Sequence, residues 1–353
     1  MKITNLWQKS IRFKTLSVFE KIVFSFLCLL EKFYKLGFIV VLFLKRNSNK
    51  PFLGFKTFSV GNLSVGGTGK SVFVQFLVDS LKNKEKKCAV VLRGYRSKIE
   101  KTKKSYLISD EKNIFYEPEF CGDEAFMLAQ NLKIPVVVGQ DRGKSCLLLK
   151  GKKIDSVILD DAYQNYHVKK DVEILLLDAK KPFENGHCLP AGRLREKDYS
   201  RADVIILTHA DNVSQEQIFK IKNNLLKDFD PERIFAGRHK AEDLSLAGGN
   251  YLAFAGIGTF QYFLQSVKES NINITKTLEY PDHHSYSKKD LDNILSLIKD
   301  NALDGAITTQ KDWCKLLPLI KKLPKELNVP IHVLNINFEF LSKSDHNKFL
   351  KLI

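Results

Sequence analysis

Lys70 and Ser71 have the neighbours that most plainly announce chemistry in this chain. They close the run F-S-V-G-N-L-S-V-G-G-T-G-K-S-V-F from Phe58 to Phe73, in which an apolar stretch passes through a glycine-rich turn into an apolar-periodic segment. That is the layout of a phosphate-binding loop. Glycines let successive backbone N–H groups turn inward around a phosphate, and the start of the following helix adds its positive end. A lysine then reaches the β- and γ-phosphates and a serine hydroxyl ligates Mg2+. The full pattern asks for a glycine five residues before Gly69, where Ser64 stands, although Gly61, Gly66 and Gly67 lie close by. The expected nucleotide-binding residues are Gly61, Asn62, Ser64, Val65, Gly66, Gly67, Thr68, Gly69, Lys70 and Ser71.

Acidic and basic groups recur downstream. Val157-Ile158-Leu159-Asp160-Asp161 reads as an apolar strand that delivers two carboxylates to its carboxyl end, the edge where an open α/β sheet binds ligands. Carboxylates there hold Mg2+ directly or through water, or else simply cap a turn. Gly122-Asp123-Glu124 opens an apolar helix, so Asp123 is either a helix-start residue or a catalytic carboxylate. The loop G-H-C-L-P-A-G-R-L-R-E from Gly186 to Glu196 carries Arg193, Arg195 and Glu196. Arginine in such a loop neutralises phosphate charge and the glutamate reaches a metal, unless the loop is only solvated. Tyr280-Pro281-Asp282-His283-His284-Ser285-Tyr286 sets two histidines between a strand pattern and a helical one. No third metal ligand stands at suitable spacing, so the other role for them is proton transfer, alone or paired with a carboxylate. Thr308 to Trp313 ends a strand and either faces the nucleotide or caps the next helix.

Strands must position these groups. Strand-like runs occur at Phe55 to Val60, Cys88 to Leu92, Pro135 to Val138, Ser156 to Leu159, Val172 to Leu177, Val204 to Leu207, Tyr251 to Phe254 and Gly305 to Ile307. Helical patterns lie between most of them, which predicts an α/β fold: a mainly parallel sheet with helices on both faces. Residues 97–119 are polar and lysine-rich and read as an exposed excursion. Charge gives way to Ala-Gly-Gly-Asn near Ala241 to Asn250, where a boundary between two lobes is expected.

With 44% apolar and 27% charged residues in 353, the composition is that of a soluble globular protein, but a net charge of +16 calls for an anionic partner. Half of that excess lies in residues 1–50, which hold ten Lys/Arg and two acidic residues, a net of +8. Two apolar runs, Ile22 to Leu30 and Leu36 to Leu44, alternate with the charges, and each is far shorter than the ~20 residues of a membrane span. The segment suits a helix lying in the headgroup region of an anionic bilayer, with Phe33, Tyr34 and Phe38 as aromatic anchors. The alternatives are an amphipathic cap on the core and a true span. No nucleic-acid module is recognisable and the basic excess sits in an apolar segment, so nucleic acid is not an expected partner. The six cysteines stand far apart, without zinc spacing, as reduced core residues of a cytosolic protein, and no cleavable signal is evident.

The stretches S-V-G-N-L-S-V-G-G-T-G-K-S, R-G-Y, G-D-E, D-D-A-Y-Q, L-P-A-G-R-L-R-E, A-G-I-G, P-D-H-H-S-Y and T-T-Q-K-D follow the order seen in tetraacyldisaccharide 4′-kinases, the lipid A 4′-kinases of Gram-negative bacteria. The resemblance covers roughly Lys56 to Leu316 and includes the offset glycines around Ser64. It implies a P-loop kinase on the cytoplasmic face of the inner membrane, peripheral or monotopic, that moves the γ-phosphate of ATP to the 4′-hydroxyl of a tetraacyl glucosamine disaccharide 1-phosphate. The expected division is therefore a membrane-associating N-terminal helical segment over 1–50, a P-loop kinase core over 51–240 and a smaller second α/β lobe over 241–353 that completes the sheet and the site. By the same likeness Lys70 cradles the phosphates, and Ser71, Asp160, Asp161 and Glu196 surround Mg2+. Arg195 then stabilises charge, Asp123 is the base and His283 its partner. Ala162, Asn165 and Gln310 depart from residues common at those places, glycine, histidine and glutamate respectively. The amphiphilic glycolipid and an anionic membrane surface are the expected partners, with no obligate protein partner evident. The competing expectation is a membrane-associated P-loop hydrolase that switches a protein partner.

Overall fold

The computed structural model describes residues 7, 9–10, 16–46, 53–95, 97–246, 248–258, 260–282, 284–323 and 330–353. Among them thirteen strands form two sheets. They are β1 (Lys56–Asn62), β2 (Cys88–Leu92), β3 (Tyr106–Ser109), β4 (Val136–Val138), β5 (Ser156–Asp160), β6 (Val172–Asp178), β7 (Val204–Thr208), β8 (Ile234–Ala241), β9 (Asn250–Ala255), β10 (Asn273–Glu279), β11 (Gly305–Thr309), β12 (Ile331–Leu334) and β13 (Ile336–Phe340). The large sheet has the order β13-β8-β7-β6-β1-β5-β2-β4-β3 and the small one β10-β9-β11-β12. Only β3 against β4 and β13 against β8 run antiparallel, both at the edges of the large sheet. The mainly parallel α/β architecture expected from alternating strand and helix patterns is the one found.

Burial explains the central strands. β2, β5 and β7 read C-A-V-V-L, S-V-I-L-D and V-I-I-L-T and are buried at every position, as strands must be when helices cover both faces. The helix Lys70–Lys82 buries Phe73, Val74, Leu77, Val78 and Leu81. Phe73 meets Phe338 of β13 and Phe349 of the C-terminal helix Lys343–Leu352 edge-on, at ring separations of 4.9 and 5.9 Å.

The topology fixes where chemistry sits. From β1 the chain moves past β5 to β2, and from β5 it crosses β1 to reach β6, so the connections after β1 and β5 diverge to opposite sides. A crevice opens where they part, at the carboxyl ends of those strands. Val60 and Asp160 are register partners there.

One segment differs from expectation, and two others are defined more closely. Residues 97–119 are not a bare excursion: the helices Lys98–Thr102 and Pro118–Cys121 flank β3, which buries Ile108 and Ser109 at the sheet edge. The stretch from 241 to the end, expected as a second lobe that completes the sheet, contributes strands to both sheets. Its strands β9 to β12 make the small sheet, whereas β13 and the helix Lys343–Leu352 join the large one. The two N-terminal apolar runs form one helix, Val18–Arg46, of 29 residues. Among the described residues no helix is long and apolar enough to cross a membrane. One face of Val18–Arg46 exposes Phe26, Leu29, Phe33, Leu36 and Val40, while Phe24, Leu27 and Glu31 are buried.

Candidate active site

The phosphate loop leaves β1 at Asn62 and enters the helix at Lys70. Lys70 Nζ donates to Asn62 Oδ1 at 3.2 Å and lies 3.6 Å from Asp161 Oδ1, so the lysine is drawn back over its own loop. Two glycines are required by space. A Cβ on Gly61 would stand 2.6 Å from Tyr163 Cβ and 2.8 Å from Tyr163 N, so only glycine lets the segment after β5 lie against β1. Gly69 has φ of +75° and its absent side chain is occupied by the His239 ring, 1.9 Å from the Cβ position.

Three carboxylates converge on this loop. Asp160, at the end of β5, is buried, and its Oδ1 has no hydrogen-bond partner among the described residues. Burial, and then the nearby Glu124 and Asp161 carboxylates, push its pKa up to about 7 against the pull of Lys70 and Arg142. Asp161, in a left-handed conformation, takes both nitrogens of the Arg195 fork at 3.0 and 3.3 Å. Although burial opposes it, the positive charges of Lys70 and Arg195 hold the Asp161 carboxyl below the usual range. Glu124 accepts a hydrogen bond from the Ser71 hydroxyl. Beneath them the buried Arg142 donates to the carbonyls of Gly139 and Asp160 at 3.0 and 3.1 Å.

The fit to a cation can be tested on these groups. An orphaned buried carboxylate oxygen on Asp160, with Ser71 and Glu124 beside the same loop, is an oxygen-only donor set of the kind a hard divalent ion takes. Glu196, expected at that place, is engaged elsewhere. Its two oxygens accept from Arg201 at 2.7 and 2.8 Å, and Gln164 Nε2 donates to Oε1 at 2.8 Å. Gln164 also accepts from Arg195 at 3.1 Å and donates to Asn62 O at 2.9 Å, tying the arginine loop to the end of β1.

Asp123 begins the helix Asp123–Leu132, and its Oδ2 lies 3.1 Å from Lys315 Nζ on the helix Gln310–Ile320 that follows β11. His283 lies outside the described residues. His284 turns away from the cleft, stacking on Tyr280 at 4.6 Å with Nε2 3.3 Å from Asp290 Oδ2. At the other end of the loop, Asp178, His209 and His239 form a chain, with Oδ2 3.3 Å from His209 Nδ1 and the two rings joined at 2.9 Å. A cleft of about 1740 Å3 spans the two sheets; Tyr34, Lys70, Asp160, Arg195, Asp282 and Lys315 are among its lining. That volume exceeds the needs of one small ligand.

Glu124, Gln164, His239 and Lys315 are among the residues here that carry no role in the sequence reading. Glu124 and Gln164 sit inside the G-D-E and D-D-A-Y-Q stretches, so proximity to the singled-out aspartates was a usable signal. His239 and Lys315 arrive from β8 and from the small-sheet side, and nothing local marks them.

A family model described as tetraacyldisaccharide-1-P 4′-kinase (LpxK) matches residues 24–353. The tetraacyldisaccharide 4′-kinase of Halothermothrix orenii is 32% identical over 93% of this chain and 92% of its own length. That of Desulfatibacillum aliphaticivorans is 33% identical over 83% and 82%. Among solved structures, LpxK of Aquifex aeolicus in complex with ATP superposes with a TM-score of 0.71 at 27% identity, covering 94% of this chain and 98% of that one.

Proposed function

The chain belongs to the tetraacyldisaccharide-1-P 4′-kinase family, and from that membership we propose how its own residues perform the transfer. The protein is a lipid A 4′-kinase that moves a phosphoryl group from ATP to the 4′-hydroxyl of a tetraacyl disaccharide 1-phosphate. The observation that carries the assignment of residues is the convergence of Lys70, Ser71, Asp160 and Asp161 at the adjoining ends of β1 and β5.

Phosphoryl transfer asks for in-line positioning and for charge neutralisation around the moving group. Backbone N–H groups of residues 66–71 cradle the phosphates, and Lys70 reaches between them. Asp161 holds Lys70 and Arg195 side by side, so two positive charges face the same phosphate oxygens. Ser71, Asp160 and Glu124 would hold Mg2+, which would supply charge neutralisation for the transferred phosphoryl group. Glu196 acts at one remove, fixing Gln164 and through it Arg195. Asp123 accepts the proton of the attacking hydroxyl, and Lys315 orients its carboxylate. His283 is the assigned partner of Asp123 by family likeness.

The exposed apolar face of Val18–Arg46, with basic residues around it, lies on the inner-membrane surface where the acylated acceptor resides. The reading as a hydrolase that switches a protein partner is not favoured, since the family match extends through the small sheet. Incubation with γ-labelled ATP and tetraacyl disaccharide 1-phosphate checks the assignment. Label entering the glycolipid is the expected result, and acceptor-independent hydrolysis as the sole activity would overturn it.

A further inference from the structure

The loop that carries Arg195 is gripped from two sides. Toward the nucleotide it is woven into the phosphate loop, with Val65 N–H donating to Arg193 O at 2.8 Å and Arg195 N–H to Leu63 O at 2.7 Å. Toward the N-terminus it is gripped by the helix Val18–Arg46. Glu31 accepts from Cys188 N–H at 2.9 Å and meets His187 Nδ1 at 2.8 Å, while Tyr34 Oη donates to the Arg195 carbonyl at 2.9 Å. Between these ends Ala191 is buried against Leu16, Phe24 and Leu27.

Phe24, Leu27, Glu31 and Tyr34 follow one another at steps of three and four, so they share one helix face. Phe26, Leu29, Phe33, Leu36 and Val40 do the same on the opposite face, and all five are exposed. An anchor needs only the second face. The first spends a buried carboxylate, which is costly unless fully paired, and Glu31 is paired three times over, with Lys35 at 2.6 Å as the third partner. Its pKa reflects this: against burial, those hydrogen bonds hold it down at about 2.

We infer that the docking helix is part of the transfer machinery, with Glu31 and Tyr34 as positioning residues that set Arg195 over Asp161 and the phosphate loop. The inference rests on the reading of Arg195 as a charge-stabilising group. Moving the helix by the length of one hydrogen bond shifts the Arg195 backbone directly, since the Tyr34 hydroxyl is bonded to the carbonyl of that same residue.

The test uses the full chain, γ-labelled ATP and acceptor dispersed in detergent, so that membrane attachment does not limit the rate. Tyr34→Phe removes one hydroxyl and keeps the ring. It is expected to lower kcat about tenfold, with KM for ATP within about twofold of wild type and binding to anionic vesicles retained. Glu31→Gln is expected to lose at least as much; if it fails to fold, Tyr34→Phe decides alone. In an Arg195→Lys background Tyr34→Phe is expected to cost nothing further, because its effect passes through that arginine. An additive loss, or kcat of Tyr34→Phe within about twofold of wild type while Arg195→Ala is inactive, overturns the inference. Full turnover by Arg195→Ala would instead sink the underlying reading of that residue.

Discussion

Lys315 Nζ lies 3.1 Å from Asp123 Oδ2, and the two residues stand on helices that belong to different sheets. The proposed base and the cation beside it are therefore delivered to the cleft from opposite sides. Asp123→Ala is expected to cut kcat by about a hundredfold or more with little change in KM for ATP, the range a positioned general base supplies. Lys315→Met should cost less, on the order of tenfold in kcat, since the carboxylate survives but loses its orientation. Steady-state kinetics in both substrates checks both values, and wild-type turnover by Asp123→Ala would refute the assignment.

Asp160 and Glu196 make a contrasting pair. Among the described residues Asp160 has an unpartnered buried oxygen, whereas the oxygens of Glu196 are held by Arg201 and Gln164. Asp160→Asn is expected to raise the Mg2+ concentration for half-maximal activity by about tenfold or more. Glu196→Gln should act mainly on stability, because it removes the nearest of the three carboxylate charges around Arg201. Mg2+ titration of activity beside thermal melts separates the two; an Mg2+ requirement raised more by Glu196→Gln than by Asp160→Asn would reverse the roles.

His239 provides a pH dependence. Burial, and then the neighbouring His209, push its pKa from 6.5 down to about 3. The unfolded chain thus binds a proton at that ring in a range where the folded chain does not. Stability from this source is whole above about pH 6.5 and is lost as pH falls from there toward 3. His239→Asn should therefore show a smaller fall in melting temperature between neutrality and about pH 5 than the wild type does. Parallel acid slopes for the two proteins would contradict it.

Gly61→Ala tests the close approach of the segment after β5. The added methyl would stand 2.6 Å from Tyr163 Cβ and 2.8 Å from backbone N, and a neighbour that includes main chain cannot simply turn aside. A loss of about 2 kcal/mol in unfolding free energy is expected. Activity should fall further than stability explains, since Asp160 and Asp161 precede the displaced residue. Denaturant unfolding with activity at matched folded fraction measures both.

The exposed face of Val18–Arg46 predicts membrane affinity. Replacing Phe33, Leu36 and Val40 together by serine removes three apolar side chains from the interface, each worth about 1 to 2 kcal/mol when buried in lipid. Cosedimentation with anionic vesicles should fall at least about tenfold. Undiminished binding would show that this face does not meet the bilayer.

The sequence was legible where function and local pattern coincide. Buried parallel strands such as Val204 to Leu207 are continuous apolar runs, and the glycines before Lys70 announce their turn. β13 was not legible: I-N-F-E-F is short and alternating, and its place depends on a partner almost a hundred residues earlier in the chain. β8 is apolar only in its first half, because Arg238, His239 and Lys240 lie where the strand runs out of the core. Asp123 could be singled out from its helix start and a family likeness, but Lys315 could not. A lysine in a lysine-rich helix carries no local mark of the carboxylate it will meet across the cleft.

Ala241 and Ile336 are register partners at the junction of β8 and β13, and Glu242 N–H donates to Asn335 O at 2.9 Å just beyond them. The polypeptide leaves the large sheet and re-enters it on neighbouring rungs of one ladder. The intervening residues are therefore joined to the large sheet by a two-stranded ribbon, and Cys314 on the helix Gln310–Ile320 packs into the large-sheet core as a second attachment. Asp123 and Lys315 meet where that second attachment is made, since Lys315 follows Cys314 in the same helix.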